Sequence, residues 1–468
     1  NTEVLVSYKD TTVRIAVDVY RPVQELEPME IETALLYGFR VPEGVEGKVN
    51  SVIIRGEEFF QSCDENTSVV TIRDLPSYSY YGEQEIEIRT DKGIYKAPAG
   101  IYTKILRTKE DLDRFGSWAH AEGEAGHADT WGGYFVLGND IAYNGKYQPF
   151  CDMKILASMG PCSYGDGHLN GVLCGFHRGF GGIFDGRGYN IDGMEIDDEC
   201  GGFVGVINKN GVFKNVSFTN ARHGGAGGFI CASGGGTIEN VYIHCVELKG
   251  GRAGGNLYSG FFLSTDSIGS ARVRNCFVYV DCEMEDPSTT FIYGRAHEGY
   301  GILENCVAVG VSPENGWLLN TAGTGASNDC RVYNDLAALK YSGESFAGWL
   351  NEFWIMKNGL PYPSKLALPE ADESLLEDRT ETVMPGGAVR FDSLDKNTYL
   401  RLDGQAVEDG VYVDGTKIVV PAKDGAVYTA YICYIYEPDK KAEITIQVQD
   451  EPEKEEVVSE SGLWGDRR

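Results

Sequence analysis

Apolar and polar residues change rhythm several times along this 468-residue chain. From Thr12 to Tyr20 they alternate, with Val13, Ile15, Val17 and Val19 on one face, until Arg21-Pro22 stops the run. Similar runs near Lys48–Arg55, Ser68–Leu75, Gln84–Arg89 and Gly93–Ala97, bounded by turn residues, predict further short strands. Spacing of this kind suggests an immunoglobulin-like sandwich. Residues 1–23 read as the closing hairpin of a preceding module, and residues 24–106 as a whole one. There is no Cys…Trp…Cys arrangement, so the expectation concerns architecture alone.

At Thr108 the rhythm lengthens. Thr108-Lys-Glu-Asp111 has the form of a capping box with Asp in place of Glu, and Leu112, Phe115 and Trp118–Ala119 follow at helical spacing. This predicts one amphipathic helix of about ten to fourteen residues. Trp131–Ile141 then alternates as a strand. Beyond it an asparagine recurs at Asn190, Asn215, Asn240, Asn275 and Asn305, with Asp329 in the matching place. The steps are 25, 25, 35, 30 and 24 residues, and an apolar residue or Cys follows each one: Ile191, Val216, Val241, Cys276, Cys306 and Cys330. Phe203, Phe229, Phe261, Phe291 and Trp317 stand upstream of the last five. A repeated unit with loops of variable length is the mark of a solenoid.

Alternation turns Val216 and Phe218 inward, stacked with Val241 and Ile243, Cys276 and Val278, and Cys306 and Ala308. The Asn amides can then donate and accept along the coil axis, rung to rung. The expectation is a right-handed parallel β-helix over residues 107–366, with about seven rungs. The predicted helix would cover its open end, where apolar side chains and backbone groups otherwise lack partners. Residues 367–382 are rich in Pro and acid and read as a linker. Residues 383–449 alternate again, with Asp403-Gly, Asp409-Gly, Asp414-Gly and Asp424-Gly as hairpin-type turns, and predict a second Ig-like sandwich. Residues 450–468, charged with little to bury, read as a disordered acidic tail. The expected fold class is all-β.

Composition narrows the function. A formal net charge of −29 argues against nucleic acid and anionic membrane as partners. No run of about 20 apolar residues exists to span a bilayer. The chain opens at Asn1 without Met or a signal-peptide pattern, which reads as a mature or excised fragment. Of the twelve cysteines, Cys276, Cys306 and Cys330 share one ladder position and are expected as a reduced stack inside the coil. Cys151, Cys162 and Cys174 sit in a Gly-rich insertion that has room for one disulfide.

Gly201-Gly-Phe-Val-Gly, with Asn210-Gly-Val-Phe-Lys-Asn-Val216 after it, resembles the GLUG-type repeat of β-helical surface proteins from gut and other bacteria. Tyr134–Ile141, Phe184-Asp-Gly-Arg-Gly-Tyr-Asn-Ile191 and Phe353-Trp-Ile-Met-Lys-Asn-Gly-Leu-Pro361 look like its first and last rungs. The resemblance covers roughly residues 104–366. It implies secreted or wall-attached binding proteins flanked by Ig-like modules, so an adhesin of a gut commensal is expected.

Two kinds of site compete. A strip of basic and aromatic residues (Arg222, His223, Arg252, Tyr258, Arg272, Arg274, Tyr293, Arg295 and His297) suits an acidic glycan or a host protein such as a secreted immunoglobulin. The plainer reading pairs those arginines with carboxylates of neighbouring rungs. An enzyme of the hydrolase or lyase type needs carboxylates in one groove, with calcium as the one metal a lyase would bring. Its candidates are Asp166, Asp185, Asp192, Asp197 and Asp198, and their plainer reading is turn residues and a solvated loop. Ser163 and His168 share a loop, which does not make a triad. His223, His244 and His297 fall on different rungs and show no metal-ligand spacing. The leading expectation is a monomeric extracellular binding protein without a cofactor, and the rival a carbohydrate-active β-helical enzyme.

Overall fold

The computed structural model describes residues 2–9, 11–17, 23–36, 38–121, 131–147, 179–196, 202–224, 228–231, 233–234, 236–249, 252–253, 256–257, 272–282, 302–311, 326–372, 374, 376–391 and 394–449. The chain divides into two units. One takes in Asn1–Asn334, Trp349–Ile355 and Pro363–Leu366, the other Asp335–Gly348, Met356–Tyr362 and Ala367–Arg468.

In the first unit, Thr2–Tyr8 and Thr11–Val17 form an antiparallel hairpin through Lys9, whose φ is 50°. The next strands join as one nine-stranded sheet around Val52, Ile54, Ile86, Ile88 and Ile101. Ile94–Tyr102 is bonded in parallel to Val23–Glu25 and Met29–Glu32, an arrangement the alternation did not reveal. Alternation reports which face is buried, and it is silent on strand direction.

The helix expected after Thr108 spans Lys109–Ala121. Thr108 Oγ1 accepts from the Asp111 amide at 3.1 Å, and Asp111 Oδ2 accepts from the Thr108 amide at 3.2 Å, so Asp closes the capping box. Leu112, Phe115 and Ala119 are buried. The Phe115 ring meets Phe135, Phe180 and Phe184 edge-on at 4.7, 5.6 and 5.6 Å.

Two columns of parallel strands follow. The first stacks Lys104–Leu106, Tyr134–Leu137, Ile183–Asp185, Val212–His223, Thr237–Leu248, Arg272–Arg274, Ile302–Glu304 and Ala326–Asn328. Its register aligns Phe135, Phe184, Phe213, Ile238, Val273 and Leu303, all buried. The second runs through Ile141, Ile191, Phe218, Ile243, Val278, Ala308 and Val332. The short strands Val206–Ile207 and Ser233–Gly234 also pair in parallel. Phe203 and Phe229, the aromatics upstream of Asn215 and Asn240, lie on bends and pack inside. Phe261, Phe291 and Trp317 fall outside the described residues, as do Cys151, Cys162 and Cys174. Cys276 and Cys306 are buried, Cys330 partly so, and all three are free thiols.

The second unit has a four-stranded sheet (Arg379–Val383, Lys441–Val448, Val427–Tyr434 and Thr398–Leu402) and a three-stranded one (Ala388–Arg390, Lys417–Val419 and Tyr412–Asp414). They share a core of Val389, Phe391, Leu400, Ile418, Ile432 and Ile444. Arg379–Val383, of which Arg379 to Thr382 fell in the expected linker, is a strand parallel to Lys441–Val448. Asp403-Gly is not a hairpin turn either. Asp403 caps the helix Gly404–Glu408, accepting from the Ala406 amide at 2.7 Å, because a short carboxylate suits an orphan amide as readily as a turn.

Candidate functional site

The corner between the two columns is built by the asparagines. Asn215, Asn240, Asn275, Asn305 and Asp329 all adopt φ between 52° and 56°. That left-handed conformation strains most side chains and suits Asn and Asp, which is a stronger reason for their recurrence than the amide bonds alone. The bonds are present as well. Asn240 donates to Asn215 at 2.9 Å, Asn275 to Asn240 at 3.4 Å and Asn305 to Asn275 at 3.3 Å.

Asn190 does not belong to this column. It pairs in register with Ser217, two residues beyond Asn215, and donates to Thr219 Oγ1 at 2.7 Å. The corner of that rung is Asp185-Gly186-Arg187-Gly188, and Asp185 Oδ1 takes the Asn215 amide at 3.0 Å. A Cβ on Gly186 would lie 2.5 Å from the Asn215 carbonyl oxygen, so only glycine lets the two backbones approach. Asn351 adds a bond to the column, donating to Asn240 Oδ1 at 3.1 Å. Trp354, fully buried, donates its indole N–H to the Asn275 carbonyl at 3.1 Å.

Beside the corner, Asp185 and the residues preceding the ladder asparagines form a row of alternating charge. Register aligns Asp185, Lys214, Glu239, Arg274 and Glu304 on successive rungs. Lys214 reaches Asp185 at 3.4 Å, Arg274 is bonded to Glu239, and Arg272 reaches Glu304 at 3.1 Å. A second row aligns Glu195, Arg222 and Glu247, with Arg222 3.7 Å from Glu247 and Lys249 also bonded to it. The shallow recess lined by Glu195, Arg222, His223, Gly224, Glu247 and Lys249 offers only about 10 Å³, room for about one water and too little for a larger ligand.

Four side chains of the basic strip are described. Arg222, Arg272 and Arg274 are ion-paired along the coil axis. His223 is 1 % exposed, with Nδ1 3.4 Å from the Ile196 carbonyl and its ring edge-on to Phe229, so it serves the core rather than a surface. The side chain of Arg252 is not described, and Tyr258, Tyr293, Arg295 and His297 lie outside the described residues.

The catalytic candidates fare similarly. Asp185 accepts from the Arg187 amide and from Asn215, while Asp192 accepts from Thr219 Oγ1 and Asn220, both at 2.7 Å. Each carboxylate has its own partners, and no partner is shared. Asp166, Asp197, Asp198, Ser163, His168 and His297 lie outside the described residues. Among the described residues, no group of three His, Cys, Asp or Glu is placed to hold a metal, and no helix is long and apolar enough to cross a membrane.

Two clusters escaped the sequence reading. Arg187 lies 4.8 Å over the Tyr102 ring and bonds Glu30 at 3.0 Å and the Tyr102 hydroxyl at 2.9 Å. Burial pushes Tyr134 up to about 12, and the nearby Asp185 charge adds to it. His244 Nε2 lies 3.0 Å from Asp281 Oδ2, and its ring stacks on Tyr279 at 5.0 Å. The charged row had a readable signal, the alternating sign just ahead of each Asn. The Arg187 cluster had none, because its partners are far apart in the chain. Compared with family models, with curated proteins and with solved structures, the chain matches none.

Proposed function

We propose that this chain is an adhesin-type binding protein, secreted or attached to a cell surface. In this reading residues 107–366 form a right-handed β-helix of the GLUG-repeat kind, capped by Lys109–Ala121 and flanked by Ig-like modules. The connections between rungs would recognise a glycan or a secreted host protein such as an immunoglobulin. One observation carries the reading. The strand starts Ile183, Val212, Thr237, Arg272, Ile302 and Ala326 hold a single register while the chain joining one rung to the next varies in length. A rigid stack with variable connections is the usual arrangement of a recognition surface.

The self-paired charges of the rung faces move the binding role away from Arg222, Arg272 and Arg274 and toward those connections. The full chain, applied to a glycan array beside a pull-down with purified host secretory proteins, tests this. Stable retention without turnover is expected. Release of shortened glycans would instead make the chain a hydrolase or lyase and overturn the reading.

A further inference from the structure

Lys340 has no carboxylate partner among the described residues and is set instead against the side-chain amide of Asn358. It lies on the helix Leu336–Tyr341, while Asn358 and Gly359, with φ of 50° and 83°, make the turn between Trp354–Lys357 and Leu360–Pro363. Lys340 Nζ donates to Asn358 Oδ1 at 3.1 Å and also to the Asn358 main-chain carbonyl. The carboxamide is held from its other end as well. Its Nδ2 donates to the Ile435 carbonyl at 2.7 Å and lies 3.5 Å from the Tyr399 hydroxyl. Lys340 and Asn358 are half-buried, against Tyr399 and Ile435, which are buried.

An amine in this setting is a nucleophile more than a counter-ion. Lys48 and Lys96 are hydrogen-bonded to Glu65 and Glu85, which holds their ammonium groups above the ordinary range. Burial lowers Lys340 instead, with no opposite charge to offset it, and so enlarges its neutral fraction.

We propose that Lys340 and Asn358 become joined by an intramolecular isopeptide bond, a self-catalysed modification that ties the helix to the turn. The neutral Nζ attacks the side-chain carbonyl carbon of Asn358, and a C–N bond forms. The Cγ–Nδ2 bond then breaks. The leaving nitrogen takes up an Nζ proton, relayed by the Tyr399 hydroxyl beside it, and departs as ammonia. One amine and one primary amide become one secondary amide and one ammonia, so the step balances without a co-reactant. The link closes the loop between the two residues and removes freedom from the unfolded chain.

The test uses the full chain as purified and reduced, measured by intact mass and then by peptide mass spectrometry after trypsin. The mass is expected to fall short of the sequence mass by one ammonia, and Lys340 should resist trypsin in a branched peptide joined to Asn358. Lys340→Arg, which keeps the charge and offers no free amine, should show its full sequence mass. Tyr399→Phe should leave a large unlinked fraction, and complete linkage there would overturn the relay. The full sequence mass in the unsubstituted chain would overturn the proposal. So would a loss of ammonia without the branched peptide, which would place a succinimide at Asn358-Gly359 instead.

Discussion

Asn240 holds the corner of its rung in two separable ways. Its φ of 53° is left-handed, and its amide donates to Asn215 while its carbonyl oxygen accepts from Asn275 and Asn351. Asn240→Gly keeps the backbone conformation and loses the bonds, whereas Asn240→Ala loses the bonds and adds strain of about 1–2 kcal/mol. Urea titration is expected to show Ala as the worse of the two by roughly that amount. Equal losses would remove the conformational argument. Tyrosine supplies the pH dependence. Unfolded tyrosine ionises near pH 10, while burial pushes Tyr134 and Tyr341 up to about 12. Between those values the unfolded chain has released protons that the folded chain still holds. Stability is therefore complete below pH 10 and falls as pH rises toward 12. Thermal melts from pH 9 to 12 should show that fall, and Tyr134→Phe should make it shallower.

Elements end where their unpaired groups find partners. The helix Lys109–Ala121 inserts Phe115 among Phe135, Phe180 and Phe184, so Phe115→Ala should cost about 3–5 kcal/mol. Phe115→Leu should cost clearly less, measured by the same titration. In the second unit, Thr398–Leu402 is the last strand of its sheet. Tyr341 covers it, its hydroxyl accepting from the Leu400 amide at 2.8 Å and donating to the Leu400 carbonyl at 3.0 Å. Such cover blunts an edge that would otherwise pair with another chain. Tyr341→Phe strands both groups and is expected to cost about 1–3 kcal/mol in chemical denaturation.

Across the whole molecule, charge has two scales. Locally the rows of alternating sign pair from rung to rung, as with Arg272 and Glu304 or Lys214 and Asp185. Partly exposed pairs of this kind contribute about 0–1 kcal/mol each. Globally the chain carries −29, and the surplus of carboxylates repels itself. Salt weakens both effects, and the larger one should decide the sign. The melting temperature is therefore expected to rise between low salt and half-molar sodium chloride, and a fall would show that the rung-to-rung pairs outweigh the repulsion.

The period of the asparagines, the helix after Thr108 and the inward residues around Val216 and Phe218 were all legible in the amino-acid order. Each depends on neighbours within one rung, where side-chain period and capping chemistry act over a few residues. The sequence also held, unread, the alternating charges ahead of each Asn. Other features depended on which rung lies beside which. Asn190 matches the repeat by spacing, yet a two-glycine corner shifts it to the level of Ser217, because register follows backbone contact rather than residue counting. Arg222, Arg272 and Arg274 look like a basic strip in one dimension and become ion-paired once carboxylates of neighbouring rungs come beside them. His223 carries a polar side chain in a strand whose inner face is buried, and only the stacked neighbours turn it from a surface ligand into part of the core. Local patterning thus determined the elements and their faces, and the stacking of distant segments decided what each charged side chain meets, because electrostatic partners are chosen by distance in space.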